Sequence, residues 1–376
     1  FDLIDKNPHY TDDIVAEKIP TIKKGQLSNT KNHLYKQLLI SLRLQHAAHL
    51  PQIEVRELID HAMILYGKGL YAQASKILER AKQLAGKIQS TILQLEIVEF
   101  EKLVESHHIN KNSAQITSHL TKESKRLSEH ISRTTLFSNL SLQLYALYVK
   151  LGFVRDEKDY IYVKEFFEKR LPEFEINQLN FEEKMHLYNA YVWYYYITQD
   201  FLMCFKYASL WVNLFENETE VQAVYREMYL KGLYNLQNVL FNLRNHRRLS
   251  DVINKMEHID LGSRENENLS LLHQMYLLIA KVNDYYLCGK FDEGLTIVPD
   301  IENFIKTYEN TIDNHRIILL YYKVACLYFG CGDNKTCIKY LNKIIQMRDI
   351  TAQEDIQAFA RILNLIAHFE LGKADG

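Results

Sequence analysis

Proline and glycine are scarce in this chain. Five prolines and 13 glycines among 376 residues leave too few breakers for a fold of many short strands. Charge of one sign is missing too. Lys and Arg number 45 against 47 Asp and Glu, a net charge of −2, so no global field points to nucleic acid or an anionic membrane. No run approaches the roughly 18 apolar residues that span a bilayer. The five cysteines are odd in number and sit in the second half, which suits free thiols in a reduced, cytoplasmic setting better than a disulfide framework. No strand precedes a Gly-rich turn, and no G-x-S-x-G occurs, so dinucleotide, P-loop and serine-hydrolase signatures are absent. Cys326-x4-Cys331-x5-Cys337 lacks zinc-ligand spacing. No metal, no cofactor and no catalytic set is expected, and the chain reads as a non-enzyme.

What is present is aromatic, helical and repetitive. Tyr (25) and Phe (17) are frequent, and 47% of residues are hydrophobic. One phrase recurs: an aromatic-rich helix, a short polar turn, then a second helix opening with a small residue. Tyr66-Gly67-Lys68-Gly69-Leu70-Tyr71, followed by Ala74, Leu78 and Ala81, is the clearest copy. Tyr328-Phe329-Gly330-Cys331-Gly332-Asp333, followed by Cys337, Leu341 and Ile344, is another. Tyr285, Gly289-Lys290-Phe291, Gly294, Val298 and Ile301 make a third. Turn markers near Gly69, Asn110, Gly152, Gln199, Arg247, Gly289 and Gly332 repeat at about 40 to 48 residues.

The periodicity predicts helices over 54–66 with 71–86, 88–107 with 113–131, 135–152 with 157–171, and 181–198 with 201–216. It continues with 219–244 and 248–259, 265–288 and 291–308, 312–331 and 334–347, and a last helix over 353–370. Asn110-Lys111-Asn112-Ser113, Asp260-Leu261-Gly262-Ser263 and Gly332-Asp333-Asn334 carry turn and N-cap chemistry. Residues 1–50, with Pro8, Pro20, Gly25 and an amphipathic helix over 31–47, read as an N-terminal helical cap or the remnant of a small domain. Residues 51–376 read as one array. A single hairpin cannot bury both apolar faces of its first helix, so neighbours must stack into a solenoid. Small residues are expected at the crossings, Ala62 against Ala74 and Ala325 against Cys337.

These residues resemble the tetratricopeptide repeat family. Ala62, Gly69, Tyr71, Ala74, Leu78 and Ala81 match its consensus small and aromatic positions. So do Ala325, Tyr328, Gly332, Cys337, Leu341 and Ile344, with Cys and Ile departing from the usual Ala. Val192, Tyr195, Phe201, Cys204, Ala208 and Trp211 match more loosely. The period is longer than the family's, and the Pro that closes each unit is mostly missing. Asn32-His33-Leu34-Tyr35-Lys36, Glu57-Leu58-Ile59-Asp60-His61 and Ile362-Leu363-Asn364-Leu365 also look like a tetratricopeptide-like group from Bacteroidota that carries no established activity. The resemblance implies an all-α, right-handed α-α superhelix.

It also implies a concave face lined by the first helices, at fixed places counted back from each turn marker. Those places hold His186, Asn189, Trp193 and Tyr196 in the fourth unit, and Tyr234, Gln237, Phe241 and Arg244 in the fifth. The sixth offers Tyr276, Ile279, Asn283 and Tyr286, and the seventh Leu319, Tyr322, Cys326 and Phe329. Amides would pair with a peptide backbone, rings would cover its side chains, and Arg244 would take a carboxylate. Asn189 resembles the Asn that binds peptide backbone in peptide-binding members. The same rings also suit packing between helix layers, and both readings stand on the sequence. The expected partner is a protein or peptide, with neither nucleic acid nor membrane. The alternative is a regulator whose groove senses a ligand while residues 1–50 contact DNA or another protein. Arg244-x-His246-Arg247-Arg248 reads as a solvated turn, and Glu182-Glu183 as a helix opening favoured by the macrodipole.

Overall fold

A computed structural model describes residues 24–47, 50–107, 113–262, 266–347 and 354–374. Pro8, Pro20, His49, His108, the turn at 110–112 and Ser263 lie outside them. Helices make up the described residues, and no strand occurs among them. In chain order they are α1 (Leu27–Ala47), α2 (Pro51–Gly67), α3 (Tyr71–Lys87), α4 (Thr91–His107), α5 (Ser113–Leu151), α6 (Glu157–Glu168), α7 (Phe181–Ile197) and α8 (Phe201–Glu216). Then follow α9 (Thr219–Val224), α10 (Arg226–Asn242), α11 (His246–Glu257), α12 (Glu267–Cys288), α13 (Phe291–Gly294), α14 (Val298–Thr307), α15 (Asn314–Gly330), α16 (Asn334–Gln346) and α17 (Glu354–Ala374). Most helices pack on their sequence neighbours, and first helices pack on first helices: α5 on α7, α10 on α12, and α12 on α15. This all-α arrangement fits a helical-repeat architecture.

The turns explain why the phrase recurs. Gly69, Gly152, Gly289 and Gly332 all hold φ between 65° and 79°, the left-handed region that closes a helix and that glycine enters without strain. Gln199 and Arg244 close their turns in the same way, at φ 60° and 52°, without being glycine. The second helices then open on side-chain caps. Asp200 accepts from the Met203 amide, Asn245 from Arg248 and Asp333 from Thr336.

Packing at the crossings follows the small residues. Ala62 and Ala74 are fully buried in one core with Leu78 and Ala81, and Ala325 and Cys337 are fully buried in another. Gly294 sits where α13 meets α12 and α15; a Cβ there would stand 2.7 Å from Leu327 Cδ2 and 3.2 Å from Tyr285 Cβ.

Four expected helices differ. Residues 113–131 and 135–152 form one 39-residue helix, α5, which serves as the second helix of one unit and the first of the next. No Gly or Pro stands between them, and the Thr135 hydroxyl bonds back within the helix instead of capping a new one. Thr135 Oγ1 donates to the Ile131 carbonyl at 2.8 Å. The segment 219–244 breaks at Tyr225 (φ −108°, ψ 36°), where the Arg226 side chain takes the Ala223 carbonyl. The segment 291–308 tightens to a 3₁₀ turn over Leu295–Ile297, just before Pro299, whose nitrogen has no proton for the ladder.

Candidate functional site

The first helices α7, α10, α12 and α15, with the C-terminal half of α5, bring a file of rings and amides together. At one end, Trp193 lies 5.1 Å from Tyr145, 5.5 Å from Tyr148 and 6.1 Å from Tyr196 between ring centroids. Tyr196 also meets Phe153 at 5.2 Å. In the middle, Tyr234 of α10 stacks on Tyr276 of α12 at 4.0 Å and 17°. At the far end, Phe241 and Tyr286 face each other at 6.4 Å, with the Lys323 ammonium 5.6 and 5.5 Å from their centroids. Cation–π attraction holds an ammonium in such a place.

Tyr145 on α5 and Arg316 on α15 both act electrostatically on Tyr234 and Tyr276, so side chains of non-adjacent helices share one neighbourhood. Apart from the exposed Tyr145, the rings and basic side chains here are half-buried, while the amides lie beneath them as a floor. Asn189, Gln237 and Asn283 are 5%, 0% and 1% exposed.

A polar chain crosses that floor. Lys323 Nζ donates to Asn283 Oδ1 at 2.6 Å, Asn283 Nδ2 donates to Gln237 Oε1 at 2.9 Å, and Gln237 Nε2 donates to Asn238 Oδ1 at 2.6 Å. Asn238 in turn bonds the Tyr234 phenol. The Tyr286 hydroxyl closes the end by donating to the Lys323 carbonyl.

Burial dominates the electrostatics. It pushes the Lys323 ammonium down to about 8, with Cys326 opposing. Burial, then Lys231, pushes His186 down to about 4. Lys231 is itself lowered by burial, against Glu227. The Tyr196, Tyr234, Tyr276, Tyr286 and Tyr322 phenols are all raised, burial first in each case. They remain neutral donors at ordinary pH. Burial raises the Cys326 thiol too.

The expected positions fall in three groups. His186, Trp193, Tyr196, Tyr234, Phe241, Tyr276, Tyr286 and Tyr322 are half-buried residues of the first helices. Asn189, Gln237, Ile279 and Asn283 are buried beneath them. Leu319, Cys326 and Phe329 are half-buried on α15. Arg244 is corrected: it is the exposed left-handed residue that closes α10, not a lining residue. The fifth-unit marker is therefore Arg244 rather than Arg247. Counting back from it places Lys231, Tyr234, Asn238 and Phe241 on the lining and drops Gln237 to the floor. A non-glycine residue in the left-handed region hid that turn.

Lys323, Lys231, Tyr145 and Tyr148 were missed for similar reasons. The first falls one place from Tyr322, the second carries the phase error, and the last two lie on the helix expected over 135–152, the first of the third pair, outside the four units that supply the expected lining. The basic cluster near residue 246 is dispersed. Arg248 lies over the Phe205 ring at 5.0 Å and His246 turns to Asp284.

Two clefts lie elsewhere. One of about 350 Å³ runs between Arg43, Ile59, Asp60 and Glu96, and one of about 130 Å³ between Thr91, Arg126, His130 and Asn180. Among the described residues no helix is long and apolar enough to cross a membrane. No protein-family model matches this chain, and no curated protein matches it either.

Proposed function

We propose that the chain is a tetratricopeptide-like, right-handed superhelical scaffold of the cytoplasm, without catalytic activity, whose concave face takes an extended acidic peptide. The single observation that carries this reading is Lys323. Its ammonium is held among Phe241, Tyr286 and Asn283, burial lowers its pKa, and among the described residues its one hydrogen bond goes to an amide oxygen. A cation kept partly desolvated without a carboxylate partner favours an incoming anion. Lys231 and Arg316 add positive charge along the same face, with Glu227 opposing. The stacked phenols and the Trp193 cluster supply apolar cover for alternating side chains. Five free cysteines support the reduced compartment.

The test is capture from a random peptide library sorted by net charge on immobilised full-length chain. Enrichment of Asp- and Glu-bearing peptides, lost in Lys323→Met and in Tyr234→Ala, is the expected result. Equal capture by the parent chain and both variants would remove this face as the binding site.

A further inference from the structure

A second cluster lies on the side of α12 turned toward α11. Asp284 and Cys288 stand one helical turn apart on α12, and His246, the first residue of α11, reaches them from the neighbouring unit. His246 Nδ1 is 2.7 Å from Asp284 Oδ1 and 3.3 Å from Cys288 Sγ. One donor atom from each of the three residues lies within 4.8 Å of the others. Ser250 Oγ sits 3.5 Å from Asp284 Oδ1, where it orients the carboxylate. Both ligand-bearing ends are pinned. Asn245 caps α11 directly before His246, and the left-handed Gly289 closes α12 directly after Cys288.

We infer that His246, Asp284 and Cys288 form a binding site for a thiophilic divalent cation of the zinc class. The donor set is the reason. Imidazole, carboxylate and thiolate are the ligands that zinc takes, and three of them leave a fourth tetrahedral place for water or a substrate atom. Bonds of about 2.0–2.3 Å require donors about 3.3 Å (N···O) and about 3.5 Å (N···S) apart. The observed separations, 2.7 Å and 3.3 Å, are shorter by about 0.6 Å and about 0.2 Å, because a hydrogen bond now joins His246 to Asp284. A small rotation of the exposed imidazole opens the gap.

The protons balance. Cys288 enters as a thiol, its S–H breaks, the sulfur pair forms the metal bond, and one proton passes to solvent. The Nδ1 proton of His246 moves to Nε2, freeing the Nδ1 pair. Carboxylate and thiolate together neutralise the divalent charge. The site does not depend on the groove, since its three residues take no part in the Lys323–Asn283–Gln237 chain.

Titration of the reduced full-length chain with Co²⁺ tests it. One equivalent should produce tetrahedral d–d absorption and a near-ultraviolet thiolate-to-cobalt band, both bleached by Zn²⁺. Cys288→Ser should abolish the near-ultraviolet band with the helical circular dichroism unchanged, and Cys331→Ser should retain it. His246→Ala and Asp284→Asn should each weaken binding by at least about tenfold, the loss seen even for groups one shell further out. Absence of a saturable band in the parent chain, its survival in Cys288→Ser or its loss in Cys331→Ser would overturn the site.

Discussion

Lys323 and Asn283 meet across the seam between α15 and α12, Nζ donating to Oδ1 at 2.6 Å. The bond ties an ammonium with a pKa pushed down to about 8 to an amide that is itself held by Gln237. The lowered value has a definite sign. Between about 8 and the ordinary 10.5, the unfolded chain holds more protons than the folded one, so stability rises with pH across that window. Below it, the cost of the buried charge is fully present. Lys323→Met should remove this dependence. In urea melts at stepped pH, the parent chain should gain up to about 3 kcal/mol relative to the variant between pH 8 and 10.5. Acidic-peptide affinity should fall over the same rise, as Lys323 loses its proton.

His186 acts at the other end of the scale. Its folded pKa of about 4 lies below the ordinary 6.5, so its share of stability is present above 6.5 and lost as pH falls toward 4. The loss should reach up to about 3 kcal/mol, and His186→Gln should flatten it in thermal melts taken between pH 7 and 4. An identical acid limb in the variant would assign the loss to other groups.

Glu183 is a fully buried residue with four polar contacts. Its carboxylate lies 2.7 Å from His130 Nδ1 and accepts from Arg133 Nε at 2.6 Å and from the Asn180 amide at 2.7 Å, while its own amide is capped by Asn180. The same His130 nitrogen lies 3.1 Å from Arg133 Nη2, so the three side chains form one buried cluster. Glu183→Ala strands Arg133 and half of the capping box. It should cost about 3–5 kcal/mol by denaturant unfolding, whereas Glu182→Ala, whose partners are the Thr91 amide and the Tyr225 hydroxyl, should cost less.

Gly294→Ala should destabilise, against the usual helix preference. Alanine improves an exposed helix position by about 1 kcal/mol. Here the new methyl enters the space of Leu327, which is fully buried and cannot swing aside. A net loss of about 1–3 kcal/mol is expected, read as a lower melting temperature.

Much of the architecture was legible because it depends on local chemistry. Gly69, Gly289 and Gly332 announced their turns, since a left-handed residue is most easily a glycine. Glu182-Glu183 announced the opening turn of α7, and the structure adds the Asn180 cap. Arg244 did the opposite: it closes α10 in the left-handed region without glycine's signature, and it shifted the fifth unit's register by three residues. The α5 helix was unreadable as one piece because a repeat imposes a break that Ser132-Arg133-Thr134 does not supply.

The sequence by itself determined the helical class, the recurring hairpin and the small residues at its crossings, since periodicity, breakers and side-chain volume act within a few residues of one another. Only the tertiary structure decided the rest. Tyr145 and Arg316, from separate helices, act on the same two rings, the Asn283–Lys323 bond joins residues on separate helices, and His246 reaches Asp284 and Cys288 from another unit. These pairings depend on the angle at which helices stack. That angle is the sum of many packing contacts, and no short stretch of sequence contains it.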